Sequence, residues 1–174
     1  MMDDEHSTSP LQRKSRVWVM SLAGVGIGFV LCGVIIFTVM PSMMIVTKEC
    51  TLGFDETVAA LEKRVPEHGW VLSGGKAMDM NASLAEHGVT FRPRVKLIKL
   101  CKAEYAQSVL TTDRHVSCLM PCTMAVWEGD DGKTYLSEMN MGLMARLFGG
   151  NIKRIMGGKV VQEESRILNG LLKD

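Results

Sequence analysis

The sequence predicts an α+β fold: a single small domain with a mostly antiparallel sheet covered by helices, preceded by one transmembrane helix. Three observations carry that expectation. Val17 to Met40 contains no charged residue. Beyond it, apolar residues recur by turns at the strand and the helix period. Two apolar stretches, His115 to Trp127 and Lys133 to Met139, flank Gly129-Asp-Asp-Gly132, whose turn chemistry suits a hairpin. A closing hairpin favours antiparallel pairing over a doubly wound sheet.

The uncharged segment 17–40 is long enough for a bilayer, since its residues in helical form span about 36 Å against a hydrocarbon core of roughly 30 Å. It is read as the contact with the lipid bilayer, with Pro41 as its end and Trp18 as an interfacial aromatic. A cleaved signal peptide fits less well, because the run exceeds a signal core and no small-x-small site follows. Leu31 before Cys32 argues against a lipoprotein anchor. Residues 1–16, with Asp3, Asp4, Glu5 and then Arg13, Lys14 and Arg16, read as a polar tail. Only Lys48 follows closely on the far side, so the positive-inside rule places the tail in the cytoplasm and the folded part, 43–174, on the extracytoplasmic (periplasmic) side. Gly24-x-x-x-Gly28 is a weak signal for helix pairing.

Within the folded part, Met43 to Cys50 reads as a strand. Phe54, Val58, Leu61 and Val65 recur at helical spacing, so a helix covers Phe54 to about Arg64, closed by Pro66 and Gly69. Trp70-Val-Leu is a second strand, ending at Ser-Gly-Gly. Asn81 is expected to cap a short helix over Ala82 to His87 that stops at Gly88. Arg92 to Cys101 is a third, basic strand, and Lys102 to Thr111 a helix. After the hairpin come Leu143/Leu147 and Met144/Phe148 on one helix, a break at Gly149-Gly150, and Val160/Val161, Ile167/Leu168 and Leu171/Leu172 on a terminal helix.

Composition excludes more than it selects. With 174 residues, 47% hydrophobic and 22% charged, the chain suits one domain plus an appendage. The formal charge is +1, and beyond residue 40 there are 17 Lys/Arg against 16 Asp/Glu, so no nucleic-acid partner is expected. Gly74-Gly75-Lys76 and Gly157-Gly158-Lys159 lack the Ser/Thr and upstream glycine of a phosphate loop and are read as loops. No nucleophile elbow, zinc-protease helix or Cys-x-x-Cys pair occurs. The expectation therefore leans away from an enzyme, and no cofactor is indicated.

Sulfur is the unusual component: 14 methionines and five cysteines. If His115 to Trp127 is one strand, Cys118, Met120, Cys122 and Met124 share a face. On such a strand Cys118 and Cys122 lie about 13 Å apart, too far for a mutual disulfide, whereas Cys101 could meet either. These side chains are the candidate ligand or redox residues (Cys101, Cys118, Cys122), with Cys118, Met120, Cys122 and Met124 as candidates for a soft ion such as Cu(I). Core packing is the favoured reading of the same residues. The basic residues Arg92, Arg94 and Lys96, with Lys99 and Lys102, are candidates for anion contact. The competing reading is a solvated strand whose charges prevent edge pairing. His68 and His87 precede helix-ending glycines and are read as structural.

The helix Phe54-Asp-Glu-Thr-Val-Ala-Ala-Leu61, the Leu100-Cys101-Lys-Ala stretch, and Leu119-Met-Pro121-Cys122 followed by Val126-x-Glu128-x-Asp-Asp131-Gly132-Lys resemble the family called domain of unknown function 302, over about residues 43–172. The resemblance implies a small α+β domain with a helix-covered sheet and a tendency to form homodimers, and it implies no reaction. Cys101 and Cys122 match cysteine positions of the family pattern, whereas Cys118, Met120 and Met124 are particular to this chain, as is the anchor.

The function expected is a membrane-anchored extracytoplasmic binding or accessory module, dimeric and near a membrane redox or transport complex. One alternative is a soft-metal or redox-sulfur protein using Cys122, Cys101 and Cys118. The other is a thiol enzyme with Cys122 as nucleophile, for which His115 is the only base on the same strand and lies on its opposite face.

Overall fold

A computed structural model describes the backbone of residues 10–173 and the side chains of residues 24–173. The chain divides into two compact units at Ser42/Met43. The first is the helix α1, Pro10–Met44. Its stretch Gly24–Met44 has a mean hydropathy of 2.2 and buries nothing within the protein, so its length and composition suit a membrane span. Pro41 does not end this helix but lies within it. A proline removes one backbone donor without forbidding the following turn, and α1 runs on to Met44. Residues 1–9 of the expected tail, and the side chains of Arg13, Lys14, Arg16 and Trp18, lie outside the described residues.

The second unit is α+β. Its strands are β1 (Ile45–Glu49), β2 (Val71–Leu72), β3 (Met78–Asp79), β4 (Val95–Cys101), β5 (Cys122–Glu128) and β6 (Thr134–Met139). They form one sheet in the order β1-β6-β5-β4-β2, with β3 also on β4, and every pairing is antiparallel. The short β2 and β3 lie end to end along β4, at Leu100/Cys101 and at Lys96/Leu97 respectively. The basic strand is therefore interior, not an edge that needs charge to protect it. It also starts later than expected. Asn81 draws in the preceding Arg92-Pro93-Arg94 turn, donating to the carbonyls of Phe91 (2.8 Å) and Pro93 (3.1 Å) and accepting from the Val95 N–H (2.8 Å). Asp79, not Asn81, caps the short helix α3 (Met80–Ala85), through the Ala82 N–H.

The inner face of the sheet presents Ile98, Leu100, Met124, Val126 and Leu136, all with at most 1% exposure. Against it lies α2 (Phe54–Glu67), which buries Phe54, Val58, Leu61 and Val65 as its periodicity predicts. The helix α4 (Ala103–Thr112) adds Val109. The expected His115–Trp127 strand is half right. Arg114–Leu119 is a 3₁₀ helix, and extension begins at Cys122, because Pro121 has no N–H to give a ladder. Only Cys122 and Met124 of the proposed sulfur stripe remain on one strand face, joined there by Val126.

The C-terminal third departs most from expectation. The helix α5 (Met141–Phe148) buries Met141 and Ala145, while Leu147 and Phe148 are exposed. Then α6 (Gly150–Arg154), a π-helical turn (Ile155–Val160) and α7 (Val161–Ile167) follow without a break. Gly157-Gly158-Lys159 thus belongs to a helical segment, not a loop. Its glycine has a packing reason: a Cβ on Gly157 would stand 2.8 Å from Ala145 Cβ, whereas one on Gly158 would meet nothing within 4 Å. Leu171 and Leu172 do not extend α7. Gly170, at φ 72°, turns the chain so that Leu172 bridges Cys50 and Leu171 is buried.

Gly157→Ala should cost about 1–3 kcal/mol through overpacking, while Gly158→Ala should stay within about 0.5 kcal/mol of the parent. Thermal unfolding of the detergent-solubilised chain followed by circular dichroism measures both.

Candidate functional site

Two neighbouring glutamates on α7 have opposite surroundings. Glu163 accepts hydrogen bonds from Trp70 Nε1 (2.8 Å), Lys102 Nζ (2.8 Å) and the Tyr105 hydroxyl. Burial pushes its pKa up, but the bonds from Lys102, Tyr105 and Trp70 more than cancel this and leave it below the ordinary carboxylate value. Glu164 is 7% exposed and has no hydrogen-bond or ion-pair partner among the described residues. Its helical phase explains the position: Val160, Glu164, Ile167 and Leu168 fall on one face, and the other three are buried apolar residues.

A second carboxyl group faces the same space. The registers Met124↔Glu138 and Val46↔Glu138 put Glu138 on the inner face of β6, two residues beyond buried Leu136. Its Oε2 is buried without a partner. Burial raises the pKa of Glu138, partly offset by Lys48. Burial first, and the neighbouring Glu138 second, push Glu164 up to about 8.

The two carboxyl groups lie at the junction of a cavity and a groove. The cavity, of about 170 Å³, reaches past Cys118, Pro121 and Cys122 under the start of β5. The groove, of about 390 Å³, opens between β1 and α7 past Val46, Lys48, Leu168 and Lys173. Glu138, Met139, Met141 and Glu164 line both. Chemically this is a cleft of mixed lining, with the thioethers of Met139 and Met141 beside two acid groups and polar residues such as Thr123, Asn140 and Ser165 in its walls.

The cysteine candidates come near this cleft. Cys118 is exposed, Cys101 and Cys122 are half-buried, and all are free thiols. The premise that Cys118 and Cys122 lie far apart on one strand fails, since the 3₁₀ helix brings both to the cavity wall. Cys101 and Cys122 share a second, small depression with Trp70, Tyr105 and Met120. Burial, with Glu164 and Cys101 adding to it, pushes the Cys122 thiol up to about 12. A thiol so placed is protonated at neutral pH, whereas nucleophiles and thiolate ligands must be deprotonated. Met124 is sealed in the core at 1% exposure, and Met120 packs against that core. His115 sits on the 3₁₀ helix with its ring 6.3 Å from that of Phe148. Among the described residues no three His, Cys, Asp or Glu side chains are grouped to hold a metal ion.

The basic candidates lie elsewhere. Arg94 is bound to Asp55 and, at 3.3 Å, to Glu128, with its guanidinium 4.1 Å from the Phe54 ring centre. Arg92 and Lys96 line a separate hollow of about 490 Å³ whose walls also carry Asp79 and Glu128. Acidic and basic side chains thus share that hollow. Sequence reasoning missed both glutamates of the cleft, although each was signalled by an acid falling in phase with apolar neighbours: Glu138 with Leu136, and Glu164 with Val160 and Leu168.

Two measurements test this account. Maleimide at pH 8 should modify Cys118 in the folded chain and leave Cys122 unmodified until denaturant is added, as read by peptide mass spectrometry. Glu164 titrates near 8 when folded against an ordinary 4.5, so between those values the folded chain keeps a proton that the unfolded chain has lost. Stability therefore falls as pH rises from about 4.5 to about 8. Glu164→Gln removes this loss, and its stability advantage should grow by on the order of 3 kcal/mol between pH 5 and pH 8, measured by denaturant titration at each pH.

Comparison with known proteins agrees with this architecture. A crystal structure of an uncharacterized conserved protein of the DUF302 family from Bacillus stearothermophilus superposes with a TM-score of 0.63 at 18% identity, covering 74% of this chain and 98% of that one. At that identity the likeness concerns the fold. Among curated proteins nothing matches. The family profile described as Domain of unknown function DUF302 matches residues 46–171, and the chain belongs to this family.

Proposed function

We propose that the protein is a membrane-anchored binding module: α1 crosses the bilayer, the domain beginning at Met43 stands on the extracytoplasmic side, and the cleft between β6 and α7 holds a small ligand. The observation that carries this reading is the pair Glu138 and Glu164 where a cavity joins an open groove: Glu138 is half-buried with its Oε2 enclosed and unpartnered, and Glu164 is a buried residue without a hydrogen-bond or ion-pair partner among the described residues. Buried polar groups are nearly always hydrogen-bonded in native proteins, so an enclosed, unpaired Glu138 oxygen facing a second acid beside an open passage favours an occupant that pairs with them. The orientation is supported by Arg13, Lys14 and Arg16 before the span, against Lys48 after it. The homodimer rests on the family likeness, and a neighbouring redox or transport complex on the anchor. The sulfur-based alternatives have less support, because Cys122 holds its proton far above neutrality and a thiol enzyme needs a lowered thiol pKa.

Exposed Cys118 makes the topology measurable. In sealed right-side-out membranes an impermeant maleimide should label the chain, and Cys118→Ser should abolish the labelling. Labelling that requires permeabilisation would place the domain in the cytoplasm and overturn the orientation.

A further inference from the structure

The cleft holds more acceptors than free donors. Asn140 Nδ2 is committed to the Met43 carbonyl (3.0 Å), Ser165 to that of Gln162 (2.8 Å), Thr123 to that of Pro121 (3.4 Å) and the Cys118 thiol to that of His115 (3.5 Å). Lys173 is bound to Glu49. What remains is Lys48 and Asn169 in the groove wall, the Cys122 thiol, a weak donor, and the single proton that Glu164 itself carries. Inside, Glu138 and Glu164 present carboxyl oxygens to a space walled by Met139, Met141, Val161 and Leu168. An occupant that brings several donors and an apolar body therefore suits it best. An alkylammonium group is all donor, with no acceptor to leave unpaired, and it needs fewer ligands than the six to eight oxygens typical of a calcium ion.

We propose that this cleft binds a small organic amine, its ammonium seated between Glu138 and Glu164 and its aliphatic part against Met139, Met141 and Leu168. This deepens the binding-module reading and rests on it. The charge balance carries a consequence. Near neutral pH Glu164 holds a proton, and pairing with an ammonium requires the carboxylate, so each amine bound releases that proton from Glu164 to solvent. The titratable groups facing Glu164 are Glu138 on β6, Cys122 on β5, Cys118 on the 3₁₀ helix, Lys48 on β1 and Lys173 in the tail. Cys122 stays protonated across this range, which leaves the two glutamates to set the pH dependence.

The test is calorimetry on the full chain in detergent micelles with n-butylamine, n-butanol and n-butyrate as probes. Saturable binding of n-butylamine alone is expected, tightening up to about tenfold per pH unit between pH 6 and 7.5, as release of one proton requires. Its heat should vary with the ionisation enthalpy of the buffer. Glu164→Gln and Glu138→Gln should each weaken binding at least tenfold, with the pH dependence lost in the former. Arg94→Gln, outside the cleft, should leave binding intact. The proposal falls if butanol or butyrate binds as well as the amine, or if affinity is flat with pH. It also falls if amine binding appears only in Lys48→Met, which would mean that the chain's own ammonium fills the site. Protection of Cys118 from maleimide separates the two levels. If butyrate or butanol protects it and the amine does not, the ligand class is wrong and the binding module stands. If no probe protects it, both are overturned.

Discussion

The geometry of the cleft depends on how α7 is held against the inner face of the sheet. Two polar clamps do this. Glu163 gathers Trp70, Lys102 and Tyr105, joining α7 to α4 and to the residue that precedes β2. Arg64 on α2 donates to the carbonyls of Ile167 (3.1 Å) and Asn169 (2.7 Å), where the helix leaves carbonyls without intrahelical partners. Along the same helical segment Val160, Ile167 and Leu168 are buried, each worth about 1.5–3 kcal/mol on area grounds. That burial offsets the cost of carrying Glu164 inward with no partner.

The same arrangement explains where much of the abundant sulfur is spent. Met124 fills the centre of the sheet, Met141 the start of α5 and Met156 the π turn, irregular places where an unbranched thioether adapts better than a branched side chain. Cys50 is buried beside the bridge to Leu172, and its thiol is pushed up chiefly by burial. Met124, Met141, Met156 and Cys50 thus serve as packing material.

The outer face of the sheet is built differently. Trp127 stacks on Tyr135 with ring centres 4.8 Å apart, and Trp127 Nε1 donates to Ser137, whose hydroxyl also meets that of Thr47 at 2.7 Å. Each polar tip there has a partner. The contrast with Glu138, one residue from Ser137 and pointing the other way, follows from the strand's two-residue period.

The α+β class, the apolar span, the amphipathic face of α2 and the β5–β6 hairpin were all legible in the sequence, because each is set by periodicity or by turn chemistry acting over a few residues. The sulfur stripe was misread because alternation alone does not reveal that Pro121 starts the strand late, and Asn81 because a side chain can serve a distant turn instead of the nearest helix. Amphipathic phase already placed Glu164, and strand alternation Glu138, among apolar neighbours. That these two acids meet across the cleft, and that Glu163 finds three donors where Glu164 finds none, was decided by tertiary structure. Sequence periodicity tells which way a side chain faces along its own element. What it faces depends on registers and packing between segments far apart in the chain.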